Sequence, residues 1–388
     1  MFSKRTVVVL AAFAALGAAA CRDATTPQPQ SEATVPSANG RYIVVFRDSV
    51  TDAPNLARQL IQVTGGSLTF TYSSALKGFA ATLPQGALLA LGRNPRVAYI
   101  EPDQVFQADV TQSMDANGDP WGLDRIDQQT EPLSGTYTYT SDGAGVNVYI
   151  IDTGIWTLTA DFEGRADNVY DAFGLTGEDC HGHGTHVAGI VGGATYGVAK
   201  GVSLHGVRVL SCAGVGLTSQ IIAGLDWVRQ NRVDPAVANM SLGGGLSTAL
   251  NDATTNLWES GVFVAVAAGN DNADACQASP ASATGAFTVA ASEKTDAKAS
   301  YSNWGTCVEA YAPGSAIKSD FLLGLTATLS GTSMASPHVA GVAALYKGMF
   351  GDTPSATVAD WIIANATADV IAGNPSGTPN RLLFKGEL

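Results

Sequence analysis

The sequence predicts an α/β protein with a mainly parallel central sheet, preceded by a small α+β unit on a ferredoxin-like plan. In the larger part of the 388-residue chain, apolar runs are continuous rather than alternating, which indicates strands covered on both faces. Helical stretches lie between these runs, and such alternation is typical of α/β domains. Before them, residues 41–107 follow the order βαββαβ.

The N-terminal unit can be traced segment by segment. We expect a strand, an amphipathic helix, two further strands, a second helix and a last strand. They lie in "RYIVVFRD", "APNLARQLIQVTG", "SLTFTYSSALKGFAATL", "QGALLALGRNP" and "RVAYIEPDQVFQA".

The pattern of apolar residues changes near Gln112, where continuous apolar runs separated by helical stretches begin. The predicted strands are "GVNVYIID", "VSLHGVRVL", "AVANMSL" and "VFVAVAAGN", and the intervening helices include "TSQIIAGLDWVRQNR" and "STALNDATTNLWES". We find no internal repeat. The domain boundary therefore falls close to residue 111.

Residues 1–21 have the pattern of a secretory signal peptide. Lys4 and Arg5 precede a 15-residue apolar run, which is short for a bilayer span of about 20 residues. Cys21 after three alanines also resembles a lipoprotein cleavage box, so lipid attachment to Cys21 and ordinary signal cleavage both stay open. Residues 22–40 are rich in Pro, Ser, Thr and Gln and predict a flexible linker.

The charge is unevenly distributed along the chain. Residues 1–111 carry a net charge of +2, whereas residues 112–388 carry −15, from 12 basic and 27 acidic residues. An acidic domain is a poor partner for nucleic acid or an anionic membrane. We therefore expect no nucleic-acid partner, and surplus carboxylates suit solubility and calcium.

Four cysteines besides Cys21 lie in the acidic domain: Cys180, Cys212, Cys276 and Cys307. Export predicts an oxidising compartment, where cysteines form disulfides. Four cysteines allow three pairings, and their spacing does not choose among them.

Polar residues follow several predicted strands or begin helices. Asp152 ends "VNVYIID", Asn270 ends "VFVAVAAGN", His183 lies in "HGHGTHVAG", and Ser333 begins the helix of "GTSMASPHVAG". Ligands and catalytic groups in open α/β sheets gather at the carboxyl ends of strands. These four residues are therefore the candidate catalytic set.

Each member also has a structural explanation. Serine is common at helix starts, and Asp before Thr-Gly often makes a turn. His181, His183 and His186 are close enough in sequence to suggest a metal site, but no His-Glu-x-x-His pattern accompanies them. We expect His205 and His338 to be structural, and Pro337 to lie in the first helical turn, where proline is tolerated.

Together the motifs favour catalysis. The order Asp…His…Ser is that of subtilisin. The segments "IIDTGI", "HGHGTHVAGI", "NMSLGGG", "VAAGND" and "GTSMASPHVAG" resemble the subtilisin-like serine proteases, in their proteinase K and aqualysin branch. The resemblance runs from about Trp121 to Leu383 and implies a subtilisin-like three-layer domain at 112–388. Residues 41–111, with "LKGFAATL", resemble the family's inhibitory propeptide.

The resemblance implies a role for each candidate. Ser333 would be the nucleophile, His183 the general base and acid, and Asp152 the residue that orients His183. The Asn270 amide and the Ser333 backbone N–H would bind the oxyanion. The chain would be a serine endopeptidase that needs no cofactor for catalysis.

The resemblance also implies how substrate is held. An extended peptide would add to backbone edges at Gly214, Val215 and Gly216 and at Ser241, Leu242 and Gly243. The primary pocket would lie between the second edge and Ala267, Ala268, Gly269 and Asn270. Because no Asp or Arg occurs in these stretches, we expect apolar or aromatic side chains before the cut.

Disulfides and structural calcium follow from the same resemblance. The pairs would be Cys180–Cys212 and Cys276–Cys307. One calcium site would use Thr284, Ala286 and Glu309, although the family usually has Asp where this chain has Glu309. A second would use Asp124, Asp127 and Gln128, but Ser134 stands where a further acid is usual.

The propeptide would assist folding and then inhibit the cleft until the chain cut itself between Ala108 and Met114. We expect the mature enzyme to be a secreted monomer. Two alternatives remain: an esterase with the same triad, and a catalytically silent binding protein.

Overall fold

The computed structural model describes residues 40–73, 77–102 and 110–388, and the chain divides into two compact units after Phe106. The predicted signal peptide, Cys21 and residues 22–39 of the linker lie outside the described residues. Within the described ranges, no helix has the length and apolar character needed to cross a membrane.

The N-terminal unit has the predicted βαββαβ order. Its elements are β1 (Arg41–Phe46), α1 (Ala53–Thr64), β2 (Ser67–Tyr72), β3 (Gly78–Thr82), α2 (Gln85–Gly92) and β4 (Val97–Pro102). The antiparallel sheet has the order β2-β3-β1-β4. Helix α1 begins where Asp52 accepts a hydrogen bond from the Asn55 N–H (3.1 Å). Its apolar face packs Leu56 and Leu60 against Val44 and Phe79.

The second unit is built on a nine-stranded sheet. Its strands are β7 (Asn147–Asp152), β8 (Ala166–Asp171), β9 (Ser203–Arg208), β10 (Ala236–Met240), β12 (Phe263–Ala267), β14 (Phe287–Ser292), β15 (Ala310–Pro313), β18 (Thr367–Ala368) and β19 (Arg381–Leu382). The spatial order is β18-β19-β15-β14-β12-β10-β7-β9-β8. Only the β18–β19 pair is antiparallel, so the prediction of a mainly parallel sheet is confirmed.

In the described residues, six α-helices accompany this sheet: α3 (Trp121–Ile126), α4 (His183–Gly192), α5 (Thr218–Asn231), α6 (Thr248–Glu259), α7 (Thr332–Phe350) and α8 (Ser355–Asn365). Two short antiparallel pairs lie outside the large sheet: β5 (Val110–Ser113) with β6 (Thr136–Tyr139), and β11 (Gly244–Gly245) with β13 (Ala278–Ser279). A hairpin joins β16 (Ile317–Asp320) to β17 (Thr326–Leu329).

Both faces of the sheet are buried, which explains the continuous apolar runs. Along β7, Val148 and Ile150 join the core that contains α4 and α7, whereas Tyr149 and Ile151 join the core that contains α5 and α6. Successive side chains of a strand point to opposite faces. A strand that lies between two layers of helices therefore needs an apolar residue at every position, and the result is the three-layer arrangement.

Candidate active site

Asp152 and His183 meet at the edge where the parallel strands end. Asp152 is the last residue of β7, and His183 is the first residue of α4. His183 Nδ1 lies 2.8 Å from Asp152 Oδ1 and 3.0 Å from Oδ2. The Asp152 side chain is fully buried, and its Oδ1 also accepts the Thr153 N–H at 2.7 Å. The carboxylate therefore holds the imidazole by one ring nitrogen and leaves Nε2 for chemistry.

Asp179 organises the backbone that leads into α4. Its Oδ1 accepts the N–H groups of His181 and Gly182, both at 2.9 Å. Its Oδ2 accepts the N–H of Thr185 at 3.0 Å and the Thr185 hydroxyl. Gly182 has φ +102°, and a Cβ there would overlap the Phe321 ring. This turn needs glycine, and it places His183 at the helix start.

The electrostatic environment raises the pKa of His183. Burial alone lowers the pKa of an imidazole, because it disfavours the charged form. The Asp152 carboxylate opposes that effect through its charge and its hydrogen bond, and Asp179 adds to it, so the net shift is upward. The site therefore stabilises the imidazolium that would form when His183 accepts a proton.

Ser333 lies in the first turn of α7. The helix begins at Thr332, one residue earlier than Ser333. The Ser333 hydroxyl donates to the Ser241 carbonyl at 3.3 Å, and Ser333 lines the same cavity as His183. This orientation of the Ser333 hydroxyl is compatible with a catalytic role, because hydrogen bonds between catalytic residues are often long or poorly aligned in an enzyme without substrate.

The expectation for Pro337 is wrong. Pro337 is the sixth residue of α7 and lies inside the helix rather than in its first turn. A proline there cannot donate to the carbonyl four residues earlier, which is that of Ser333. The Ser333 carbonyl instead accepts a hydrogen bond from the Ser241 hydroxyl at 2.7 Å.

Asn270 follows β12 and faces the start of α7. Its Oδ1 accepts the Thr332 N–H at 2.8 Å and lies 3.0 Å from the Thr332 hydroxyl. The Thr332 hydroxyl oxygen in turn accepts the Gly269 N–H at 3.1 Å. Because these contacts fix the carbonyl end of the Asn270 amide, its NH₂ group remains available as a donor beside Ser333.

The two predicted substrate edges line one cavity. This cavity, about 390 Å³, is bounded by Gly214, Val215 and Gly216 and by Ser241, Leu242 and Gly243. His183 and Ser333 also line it. Gly214 has φ +74°, and its position facing the His181 ring leaves little room for a side chain.

A second cavity of about 260 Å³ lies where the primary pocket is predicted. Gly243, Ala267, Ala268, Gly269 and Asn270 line it as expected. Sequence reasoning did not anticipate three polar wall residues, Asp271, Ser279 and Asn303. Asn303 comes from far along the chain, and its amide donates to the Ala268 carbonyl (2.9 Å) while its Oδ1 accepts the Asp271 N–H (3.0 Å).

The two buried histidines His186 and His338 have structural surroundings. His186 is buried, its Nε2 lies within 3.1 Å of the carbonyls of Ile317 and Ala327, and burial lowers its pKa to about 4. His338 Nδ1 lies 2.8 Å from the Met334 carbonyl, and burial lowers its pKa to about 4 as well. In the part of the chain that the structure describes, no group of three or more His, Cys, Asp or Glu side chains could hold a metal ion.

The four cysteines of the peptidase domain form two disulfides, in the pairing that the family resemblance implies. Cys180 is joined to Cys212, and Cys276 to Cys307. The first bond ties the segment before His183 to the loop that carries Gly214. Arg208 lies beside it, with Nη2 at 3.3 Å from Cys180 Sγ and its guanidinium over the Phe173 ring.

The proposed calcium ligands already have protein partners. Asp124 accepts the N–H groups of Ser134 (3.0 Å) and Gly135 (2.8 Å), and Asp127 accepts that of Thr138 (2.7 Å). Gln128 Oε1 also accepts the Ser134 N–H at 2.9 Å. These donors use the oxygens a calcium ion would need, so this set fits the ion poorly.

In the other predicted calcium set, the carboxyl group of Glu309 also has a protein partner. Glu309 Oε2 accepts the Thr288 N–H at 2.5 Å, and burial raises the pKa of Glu309 to about 8. Calcium with Thr284, Ala286 and Glu309 stays a prediction.

Comparison with known proteins assigns the family. Residues 143–382 match the subtilase family and residues 41–109 match peptidase inhibitor I9. An extracellular serine proteinase of Thermus sp. (strain Rt41A) is 48% identical, with 89% of each chain covered. The cuticle-degrading protease of Metarhizium anisopliae is 43% identical, with 97% of each covered.

A solved structure agrees with these sequence relatives. The crystal structure of a cold adapted subtilisin-like serine proteinase is 49% identical, covers 68% of this chain and 97% of its own, and has a TM-score of 0.67. The subtilase match alone spans more than half of the chain. The chain therefore belongs to the subtilase family of serine proteases and carries an inhibitor I9 region before its peptidase domain.

Proposed function

We propose that this chain is a secreted serine endopeptidase that uses Ser333, His183 and Asp152 as its catalytic triad. The observation that carries the proposal is the placement of His183 against the buried Asp152, in a cavity that Ser333 also lines. Secretion is supported by the signal-like N-terminus and by the extracellular relative.

The proposed reaction passes through an acyl-enzyme. Ser333 Oγ attacks the scissile carbonyl carbon while its proton moves to His183 Nε2. The Asn270 amide and the Ser333 N–H donate to the oxyanion, where the start of α7 favours negative charge. The C–N bond breaks as His183 protonates the leaving amine, and water then releases the acid by the same steps in reverse.

The proposal is tested with casein and with the Ser333→Ala variant. We expect the wild-type enzyme to hydrolyse casein and the variant to lose on the order of 10⁶ in kcat. An enzyme that cleaves only simple esters would support the esterase alternative. Failure to cleave either substrate would support a silent binding protein.

We further propose a preference for apolar or aromatic side chains before the cut, with broad tolerance. The walls of the 260 Å³ cavity are largely Gly and Ala, which suits an apolar side chain. Asp271 lies at its exposed rim and adds only a weak attraction for cations. A panel of peptides that vary only at this position checks the preference, and a strict requirement for Lys or Arg would contradict it.

Residues 41–111 are proposed to inhibit the peptidase domain until self-cleavage between Ala108 and Met114. The inhibitor I9 match supports this role. The mass of the mature secreted protein would give the cleavage bond, and the mass of the unprocessed chain would reveal any lipid on Cys21. We also propose that the mature enzyme is a monomer without a nucleic-acid partner, which sedimentation analysis would check.

A further inference from the structure

Ser333 is held by a reciprocal pair of hydrogen bonds to one residue of the neighbouring strand end. The Ser333 hydroxyl donates to the Ser241 carbonyl at 3.3 Å, and the Ser241 hydroxyl donates to the Ser333 carbonyl at 2.7 Å. Ser241 directly follows β10, and its side chain is buried, with 3% of the residue exposed. The candidate nucleophile is thus tied to Ser241 through both its side chain and its backbone.

Pro337 explains why the Ser333 carbonyl is available. In a regular helix this carbonyl would accept the N–H of the residue four positions later. That residue is Pro337, which has no N–H. A buried carbonyl without a donor is costly, and the Ser241 hydroxyl supplies the missing one.

Two further residues set the direction of the Ser241 hydroxyl. Asn239 Nδ2 donates to Ser241 Oγ at 2.9 Å, and the Ser336 hydroxyl donates to Asn239 Oδ1 at 2.7 Å. Because Ser241 Oγ accepts from Asn239, its own hydrogen is directed to the Ser333 carbonyl. Asn239 and Ser336 are both fully buried, so water does not compete for these bonds.

These bonds form a closed ring between the two elements. The direction of donation runs from Ser336 on α7 to Asn239 on β10, to Ser241, and back to Ser333 on α7. We propose that the Ser241 hydroxyl is a positioning residue for the nucleophile, made necessary by Pro337. This proposal rests on the proposed role of Ser333, and it is separate from the predicted backbone contact of Ser241 with substrate.

The test is a double-mutant cycle of Ser241→Ala and Pro337→Ala in the full chain. We expect Ser241→Ala to lower kcat by on the order of 5- to 100-fold, with KM changed by less than about twofold. In the double variant, the N–H of residue 337 replaces the lost donor. The double variant should therefore be several-fold more active than Ser241→Ala alone.

The rate at which a phosphonate labels Ser333 gives a second readout, because it does not depend on peptide binding. It should fall in Ser241→Ala and recover in the double variant in parallel with kcat. If Ser241→Ala folds poorly, Asn239→Ala offers a second variant, which should lower the labelling rate by misdirecting the Ser241 hydroxyl.

Ser319→Ala is the matched control. The Ser319 hydroxyl is also fully buried and donates to a helix carbonyl, that of His186 at 2.9 Å. This variant should lose stability as Ser241→Ala does, while kcat stays within about twofold of wild type. Purely additive losses in the cycle, or unchanged kcat in Ser241→Ala, would overturn the proposal. An inactive wild-type enzyme would instead refute the proposed function.

Discussion

At the scale of single residues, the electrostatics of the site depend on one buried carboxylate. Asp152 is fully buried, faces His183 Nδ1 at 2.8 Å, and is the main group that opposes the effect of burial on the pKa of His183. Removing that charge leaves the imidazole with the effect of burial, opposed only by the Asp179 charge. Asp152 therefore influences both the tautomer and the protonation of His183.

The pH profile follows from the raised pKa of His183. A protonated imidazole cannot act as a base, so kcat/KM should fall as the pH drops through that pKa, with an inflection above the usual value of about 6.5. Asp152→Asn should lower kcat by about 10⁴ and move the inflection to lower pH. An acid limb unchanged in position in Asp152→Asn would contradict this assignment.

Sequence reasoning found the candidate residues that carry motifs and missed those that support them. Asp152, His183, Asn270 and Ser333 stand in recognisable segments. Asn303 stands in no such segment, and Asn239 and Thr332 lie inside quoted motifs without a predicted role, since their significance depends on partners brought near by folding. Ser336 and Asn239, for example, are 97 residues apart. Only Pro337, four residues after Ser333, left a signal in the sequence, and it was placed in the wrong turn.

At the scale of elements, the buried central strands and the helices α5 and α6 were predictable from the sequence. Continuous apolar runs gave β7, β9, β10 and β12 to within a few residues, because a strand buried on both faces has few acceptable side chains. The short pairs β11–β13 and β16–β17 were not predicted, as two to four residues carry no periodic pattern. Helix α7 begins at Thr332, one residue before the predicted start at Ser333.

The disulfide Cys180–Cys212 should affect activity as well as stability. Replacing both cysteines by serine should lower the free energy of unfolding by about 2–4 kcal/mol and also reduce kcat/KM, because the bond joins the His183 segment to the Gly214 loop. Unfolding in urea and peptide kinetics measure the two effects.

The second disulfide is the control. Cys276–Cys307 spans 31 residues, close to the 32 of the first, so its removal should cost a similar free energy with a smaller change in kcat/KM. Equal losses of activity in the two double variants would contradict a specific role of the first bond.

The contact between α4 and β16 should be sensitive to alkaline pH. Burial of Asp320, with the nearby Asp161 charge, raises its pKa to about 8. The folded state thus favours protonated Asp320. The stability this gives is complete below pH 4 and is lost as the pH rises through about 8. Asp320→Asn should therefore raise Tm relative to wild type at pH 9 but not at pH 4.

Asp115→Asn provides the comparison for that measurement. Asp115 pairs with Lys318 at 2.9 Å, and that hydrogen bond lowers its pKa to about 2, so its contribution is lost in acid rather than in alkali. This variant should show no gain in Tm at pH 9. A similar gain in both variants would mean that general charge reduction, and not Asp320, is responsible.

At the scale of the whole molecule, the chain combines two units whose sequence patterns differ. Their separate folds were predictable because βαββαβ order and α/β alternation leave distinct patterns. The charge difference between the two parts of the chain was visible as well.

Self-processing is the prediction that belongs to this scale. Ser333→Ala should keep residues 41–111 covalently attached when the protein is produced alone and purified, since the variant lacks the nucleophile. Intact mass of the wild-type and variant chains measures the outcome. Normal removal of the N-terminal unit from the pure variant would show that another protease makes the cut.

The most direct test of the central claim is covalent labelling by a serine-reactive phosphonate, followed by peptide mass mapping. The account predicts a single adduct on Ser333, formed in step with the loss of casein hydrolysis and absent in His183→Ala. An adduct on another serine, or full activity after complete labelling of Ser333, would contradict it.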